Sequence, residues 1–341
     1  GGHLPTIAAL LKERASATPR IRDGRSVMHL AATSGTPDVL DTLLSLADPH
    51  ELLESSRPAS DTDDSVLELL EMAGRGTLAE RIVASFPPEF RRGVATGSMA
   101  PNVAILPASW PTLERLASWA WADGPDIGAA ERELTAFHSA RALRDPARIG
   151  RVVETRRARL SCFDGIEIVE CLLAAPGGDP ARILATLNTV PDGRCLAVAG
   201  GRSQVWYEMM RRRLIVAGDP QAAADLLRAF CHYVVGDEGA FTLIEDAAQM
   251  PWLPGADPGR QQEVASLIRP LSVSEEGDRF VAKGRVLYGT ALFATTLSLQ
   301  GDQITMLDDE PLVDSLPVAA DRWSSRFRVV AGHVDLTGAH A

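Results

Sequence analysis

Residues that ionise, attack or ligate are present in this chain, but few are spaced for chemistry. Cys231 and His232 are adjacent. Neighbours on a helix point about 100° apart, so the two cannot face each other as a nucleophile and its base must. Cys162, Cys171, Cys195 and Cys231 include no C-x-x-C pair, and the histidines complete no zinc set. Reduced, buried thiols are therefore expected. Gly177-Gly178-Asp179-Pro180 and Gly200-Gly201-Arg202-Ser203 match neither a phosphate-cradling loop nor a dinucleotide fingerprint. Asp61-Thr62-Asp63-Asp64 and Asp308-Asp309-Glu310 lack calcium-loop spacing and read as solvated loops. These patterns predict no catalytic residue, metal or cofactor.

Arginine supplies the sharpest surface signal. Arg141, Arg144, Arg148 and Arg151 recur at spacings of 3, 4 and 3; Arg156, Arg157 and Arg159 follow, and Arg211-Arg212-Arg213 lies further on. Residues 141–213 hold 13 Arg against 8 Asp or Glu, a net +5, so with −11 overall the remainder carries −16. A solvated face is one reading. The other is a docking band for an acidic or phosphorylated protein, formed by Arg141, Arg144, Arg148, Arg151, Arg156, Arg157, Arg211, Arg212 and Arg213. Nucleic acid is disfavoured because the whole chain is acidic.

The elements expected to carry these residues are helical. Aromatics make up 5% and alanine and leucine dominate, a mix that suits close-packed helices. Leu40, Leu43 and Leu44 form one apolar stripe at i, i+3 and i+4. Gly35 can end a helix, Thr36 can cap the next, and Pro37 fits its first turn. The same stop-start device returns at Arg144-Asp145-Pro146, Gly178-Asp179-Pro180 and Gly218-Asp219-Pro220. A weaker copy of the first segment, Ser65-Val66-Leu67-Glu68-Leu69-Leu70, falls 39 positions after Ser26.

The segment Asp23-Gly24-Arg25-Ser26-Val27-Met28-His29-Leu30-Ala31-Ala32, followed by Gly35 and Leu43-Leu44, resembles the ankyrin repeat. Ser26 stands for the family's threonine and Val27 for its proline, while His29, Leu30, Ala31 and Ala32 match. The resemblance implies an all-α helix-pair solenoid of about seven degenerate units over residues 1–270. It also implies that His29 and His138 are structural, and that the function is protein–protein interaction through the concave face and loop tips. A bacterial effector acting on a host protein is the setting implied by analogy.

Residues 271–341 read as an atypical C-terminal cap that can contain some β-structure. Arg285–Leu297 reads as a buried helix or a β-rich run, Gln300–Gln303 as a turn, and Ile304–Leu307 as a strand ended by Asp308–Pro311. The alternative function is an enzyme whose catalytic part lies in 271–341 or in a missing flanking domain. No apolar run is long enough for a membrane span. The reading is a cytoplasmic protein, or one secreted into a host cell, with Gly1-Gly2 marking a start from which the native N-terminus is missing.

Overall fold

A computed structural model describes residues 6, 9–10, 12–13, 15–22, 24–34, 37–58, 64–73, 75–88, 90, 110, 119–141, 149–174, 181–236, 239–319, 322–324 and 326–329. The chain divides into two compact units. One comprises Gly1–Ala104, Ile127–Arg151 and Cys195–Ala197; the larger comprises Ile105–Asp126, Val152–Arg194 and Val198–Ala341.

The first unit is helical: α1 (Val27–Ser34), α2 (Pro37–Leu46), α3 (Pro49–Ser56), α4 (Val66–Met72), α5 (Gly76–Ala84) and α6 (Ile127–Ala136), the last continued by a π-helical turn at Phe137–Arg141. Helix α1 packs on α2, α3 and α4, and α4 packs on α5. Met28, Leu40, Leu43, Leu52, Leu67, Leu70 and Ile82 are buried in the shared core. Local polar chemistry sets the helix starts. His29 Nε2 donates to the Asp64 carbonyl (3.2 Å), which leaves Nδ1 to accept from the Ser26 N–H (3.4 Å), while the Ser26 hydroxyl donates to the Ser55 carbonyl. Thirty-nine residues on, the Ser65 N–H donates to Glu68 (2.8 Å) and the Glu68 N–H to Ser65 Oγ (3.1 Å), a reciprocal cap. At α3, Asp48 accepts from the His50 and Glu51 N–H groups, with Pro49 in the first turn.

The larger unit is built on antiparallel sheets. Its strands, together with two that begin in the first unit, are β1 (Ala122–Asp123), β2 (Arg151–Ala158), β3 (Ile166–Ala174), β4 (Arg182–Thr189), β5 (Cys195–Val198), β6 (Val235–Gly236), β7 (Gly239–Ala240), β8 (Thr242–Leu243), β9 (Ser272–Glu276), β10 (Arg279–Tyr288), β11 (Ala291–Gln300), β12 (Gln303–Val313), β13 (Arg322–Ser324) and β14 (Phe327–Val329). Three helices join them: α7 (Ser203–Arg211), α8 (Pro220–Tyr233) and α9 (Pro258–Leu267). One sheet runs β1-β2-β3-β4-β14-β13. The second runs β12-β11-β10-β8, with β9 also on β10. Alternation along β10 splits its apolar residues between two cores. Ala282 and Val286 pack with Leu227 and Cys231 of α8, whereas Leu287 packs with Val264 and Ile268 at α9.

These sheets overturn the all-α solenoid, and with it the ankyrin-type assignment. Among the described residues, helix pairing ends at α5. Where further helical units were expected after Asp145-Pro146 and Asp179-Pro180, the chain forms β2 and β4. For β4, as for the neighbouring β3, the reason is burial on both faces. Every residue of β3 is buried, as are the six central residues of β4. A strand covered on both sides loses its alternation and cannot be told from a buried helix by periodicity. The Asp-Pro device is a genuine local cap at Asp219 and Asp257, which accept from Ala222 and Arg260 N–H groups. It starts helices without implying a repeat.

Candidate functional site

The arginines proposed from the sequence have different surroundings. Arg144 and Arg148 lie outside the described residues. Arg141 ends the π-helical turn, and its side chain lies outside what is described. Arg151 is paired with Glu131 (2.8 Å). Arg157 lies 3.8 Å from Glu167, which also receives Arg159 Nε (3.2 Å). Arg211 pairs with Glu208 and lies 3.9 Å from Asp302. Arg212 is the C-cap of α7, and Arg213 takes a left-handed conformation (φ 58°), so the triplet turns away from the helix axis.

Arg156 is part of a buried cluster. Its guanidinium lies between the rings of Trp110 and Trp121, 4.1 and 4.0 Å from their centroids. Its Nε donates to Glu170 Oε2 at 2.7 Å, and its second nitrogen also reaches that oxygen. The Tyr233 hydroxyl donates to Oε1 at 2.7 Å, and Arg328 lies 3.6 Å from the same oxygen. Register explains the convergence. Glu170 faces Ala185, and Arg328 faces Ile183, two residues along the same face of β4. The small Ala185 leaves room for Arg328 to reach over it. Tyr233 also stacks on Trp206 (5.9 Å, 19° between planes). Burial, then the Glu170 charge, pushes the Tyr233 phenol well above its ordinary value, so it stays a proton donor. Glu170, Tyr233 and Arg328 are 0%, 1% and 3% exposed. So closed a cluster offers no surface to a substrate; it fastens the end of α8 to the first sheet.

Gly200 contributes to the same packing. A Cβ there would fall 2.8 Å from both the Arg326 carbonyl and the Trp323 ring. Backbone and indole approach too closely for any side chain at Gly200, and Gly201 takes a positive φ of 95° that favours glycine.

The open feature is β12. It borders the second sheet, pairs with β11, and is exposed over most of its length. The turn at Gly301-Asp302 makes Gln300/Gln303 the first hydrogen-bonded pair. Ile304/Leu299 and Met306/Leu297 are then non-bonded pairs, with the N–H and C=O of Ile304 and Met306 directed outward. The contact from α7 agrees: the Tyr207 hydroxyl donates to the Ile304 carbonyl (3.2 Å). From Met306 to Glu310, no ion pair or hydrogen bond outside the β11 ladder engages the strand among the described residues. Met306 and Leu307 are 43% and 49% exposed. The strand continues through Asp308–Pro311, the residues expected to end it.

No family model, curated protein or solved structure matches this chain.

Other sequence candidates fall into place locally. His138 Nδ1 donates to the Leu134 carbonyl (3.0 Å) inside its helix. Cys231 is buried, and desolvation pushes its thiol up to about 12. Asp61 to Asp63 and Gly177 to Pro180 lie outside the described residues. Among the described residues no group of three or more His, Cys, Asp or Glu could hold a metal ion, and no helix is long and apolar enough to cross a membrane. Sequence reasoning missed Glu170 and Tyr233. The available signal was Glu170 itself, a charge within the apolar run Ile166–Ala174, which demands a buried partner.

Proposed function

We propose that this chain is a protein-recognition module that accepts an extended segment of another protein along the β12 edge. The observation that carries the reading is the unpaired edge from Met306 to Glu310. It combines outward backbone groups at Met306 with exposed apolar side chains at Met306 and Leu307. An added strand gains main-chain hydrogen bonds from such an edge, and side-chain contacts supply selectivity. An edge left open in this way is also an aggregation hazard, which soluble sheets counter with charge and proline. Asp308, Asp309, Glu310 and Pro311 meet that need while leaving the strand accessible.

The test is selection of extended peptides from a random library on the wild-type protein, with Met306→Pro as the counter-target. Proline at 306 deletes an N–H that points away from β11, so the ladder survives. Enriched peptides should bind the wild type and fail on the variant. Peptides that bind both equally would place recognition elsewhere.

A further inference from the structure

The chemistry of the occupant can be taken further, on the basis of the recognition role proposed for β12. We infer that the partner segment is basic, with consecutive Lys or Arg residues set against Asp308, Asp309 and Glu310 and an apolar residue beside Met306.

Register gives the side-chain pattern. Leu297 belongs to the core under α8, and Met306 lies opposite it. A bulge between Thr296 and Leu297 inserts Leu307, after which Asp308 faces Thr296, Asp309 faces Thr295 and Glu310 faces Ala294. Successive residues of a strand alternate faces, so Asp309 lies on one face while Asp308 and Glu310 lie on the other. A strand pairing here meets carboxylates on both faces. Only a run of consecutive cations answers all three, and opposite charges directly across a ladder stabilise it while like charges oppose it.

The same charges favour a basic segment over a second copy of this chain. Tyr207 already holds the Ile304 carbonyl, so pairing must begin at Met306, and Pro311 has no N–H to continue the ladder. Within Met306–Glu310, a copy of β12 offers no cation to any of the three carboxylates in any register, and the antiparallel register centred on Asp308 sets that carboxylate against its own counterpart. A strand of opposite charge has no such conflict.

The experiment measures fluorescence anisotropy of labelled peptides of about ten residues, long enough for one strand. One alternates valine and threonine around three consecutive lysines. The second replaces those lysines with glutamates, and the third is the lysine peptide with alternate amides N-methylated. Each is titrated with wild type, Met306→Pro, and the triple variant Asp308→Asn, Asp309→Asn, Glu310→Gln. The lysine peptide should bind the wild type, weaken about tenfold on the neutralised triple variant, and lose binding when N-methylated or when offered Met306→Pro. If the glutamate peptide binds as tightly as the lysine peptide, the inference of a basic partner is overturned while the recognition role of the edge stands. If the N-methylated peptide binds as tightly as its parent, strand addition itself is refuted, and the same follows if no peptide binds. Should Met306→Pro fail to fold by circular dichroism, the N-methylated peptide decides the question alone.

Discussion

Replacing Glu170 by glutamine should be among the most destabilising conservative changes in the larger unit. The substitution keeps the shape and one carbonyl acceptor but removes the charge that holds Arg156, Arg328 and the Tyr233 hydroxyl. Removing one partner from a buried ionic network costs about 3–5 kcal/mol, because the remaining charges stay desolvated. That is large against the roughly 5–15 kcal/mol that separates folded from unfolded domains. Tyr233→Phe deletes one hydrogen bond to a charged acceptor and should cost about 1.5–3 kcal/mol. The assay is urea unfolding followed by tryptophan fluorescence. All six tryptophans belong to the larger unit, so the signal reports that unit alone. The control is Glu263→Gln on α9, which loses a solvent-exposed pair with Arg260 and should change stability by under about 1 kcal/mol. A Glu170→Gln variant as stable as that control would show that the cluster does not fasten the fold.

Three further outcomes are expected. Ala31→Leu should lower the stability of the helical unit by about 1–3 kcal/mol in a circular-dichroism melt, because Ala31 is buried in a filled core; an unchanged melt would refute the packing around α1. Burial works to raise the Glu245 carboxyl, but the hydrogen bonds and charge of Arg228 outweigh it and hold the group below its ordinary 4.5. Stability from this pair is therefore present above pH 4.5 and lost as pH falls through the lowered folded-state value. Glu245→Gln should flatten that acid limb, and an unaltered pH profile would show the pair to be unlinked to folding. Finally, Cys171 and Cys231, whose thiols burial pushes up to about 12, should resist a thiol reagent at neutral pH until the protein is denatured; rapid reaction in the native state would contradict their burial.

Much of the local structure was legible in the sequence, and much of the architecture was not. Short-range rules held where they act within a few residues. The Asp219-Pro220 helix start and the turn near Gly301 depend on side-chain capping and a positive φ (58° at Gly301), which neighbouring residues determine. The architecture failed because Ile166–Ala174 and Arg182–Thr189 are buried on both faces, so neither segment shows the exposed polar alternation that separates a strand from a buried helix. The pattern of the first helices therefore predicts helix over segments that pair as sheet. Recognition chemistry was hidden for a related reason. Nothing local shows that Asp308–Glu310 continue a strand rather than end it; the ten-residue partner β11, running Ala291–Gln300, supplies the ladder that holds them extended. Arginine spacing and local charge place Arg156 in a surface band or on a solvated face, whereas Glu170, Trp110 and Trp121 draw it inward.

The most direct test of the central claim is hydrogen–deuterium exchange on the full chain with and without the lysine peptide. The free edge amide of Met306 should exchange quickly and become protected on binding, with protection confined to Gln303–Val313 and its neighbour β11. Unchanged exchange across β12, with protection appearing on another element, would show that this edge is not where the protein meets its partner.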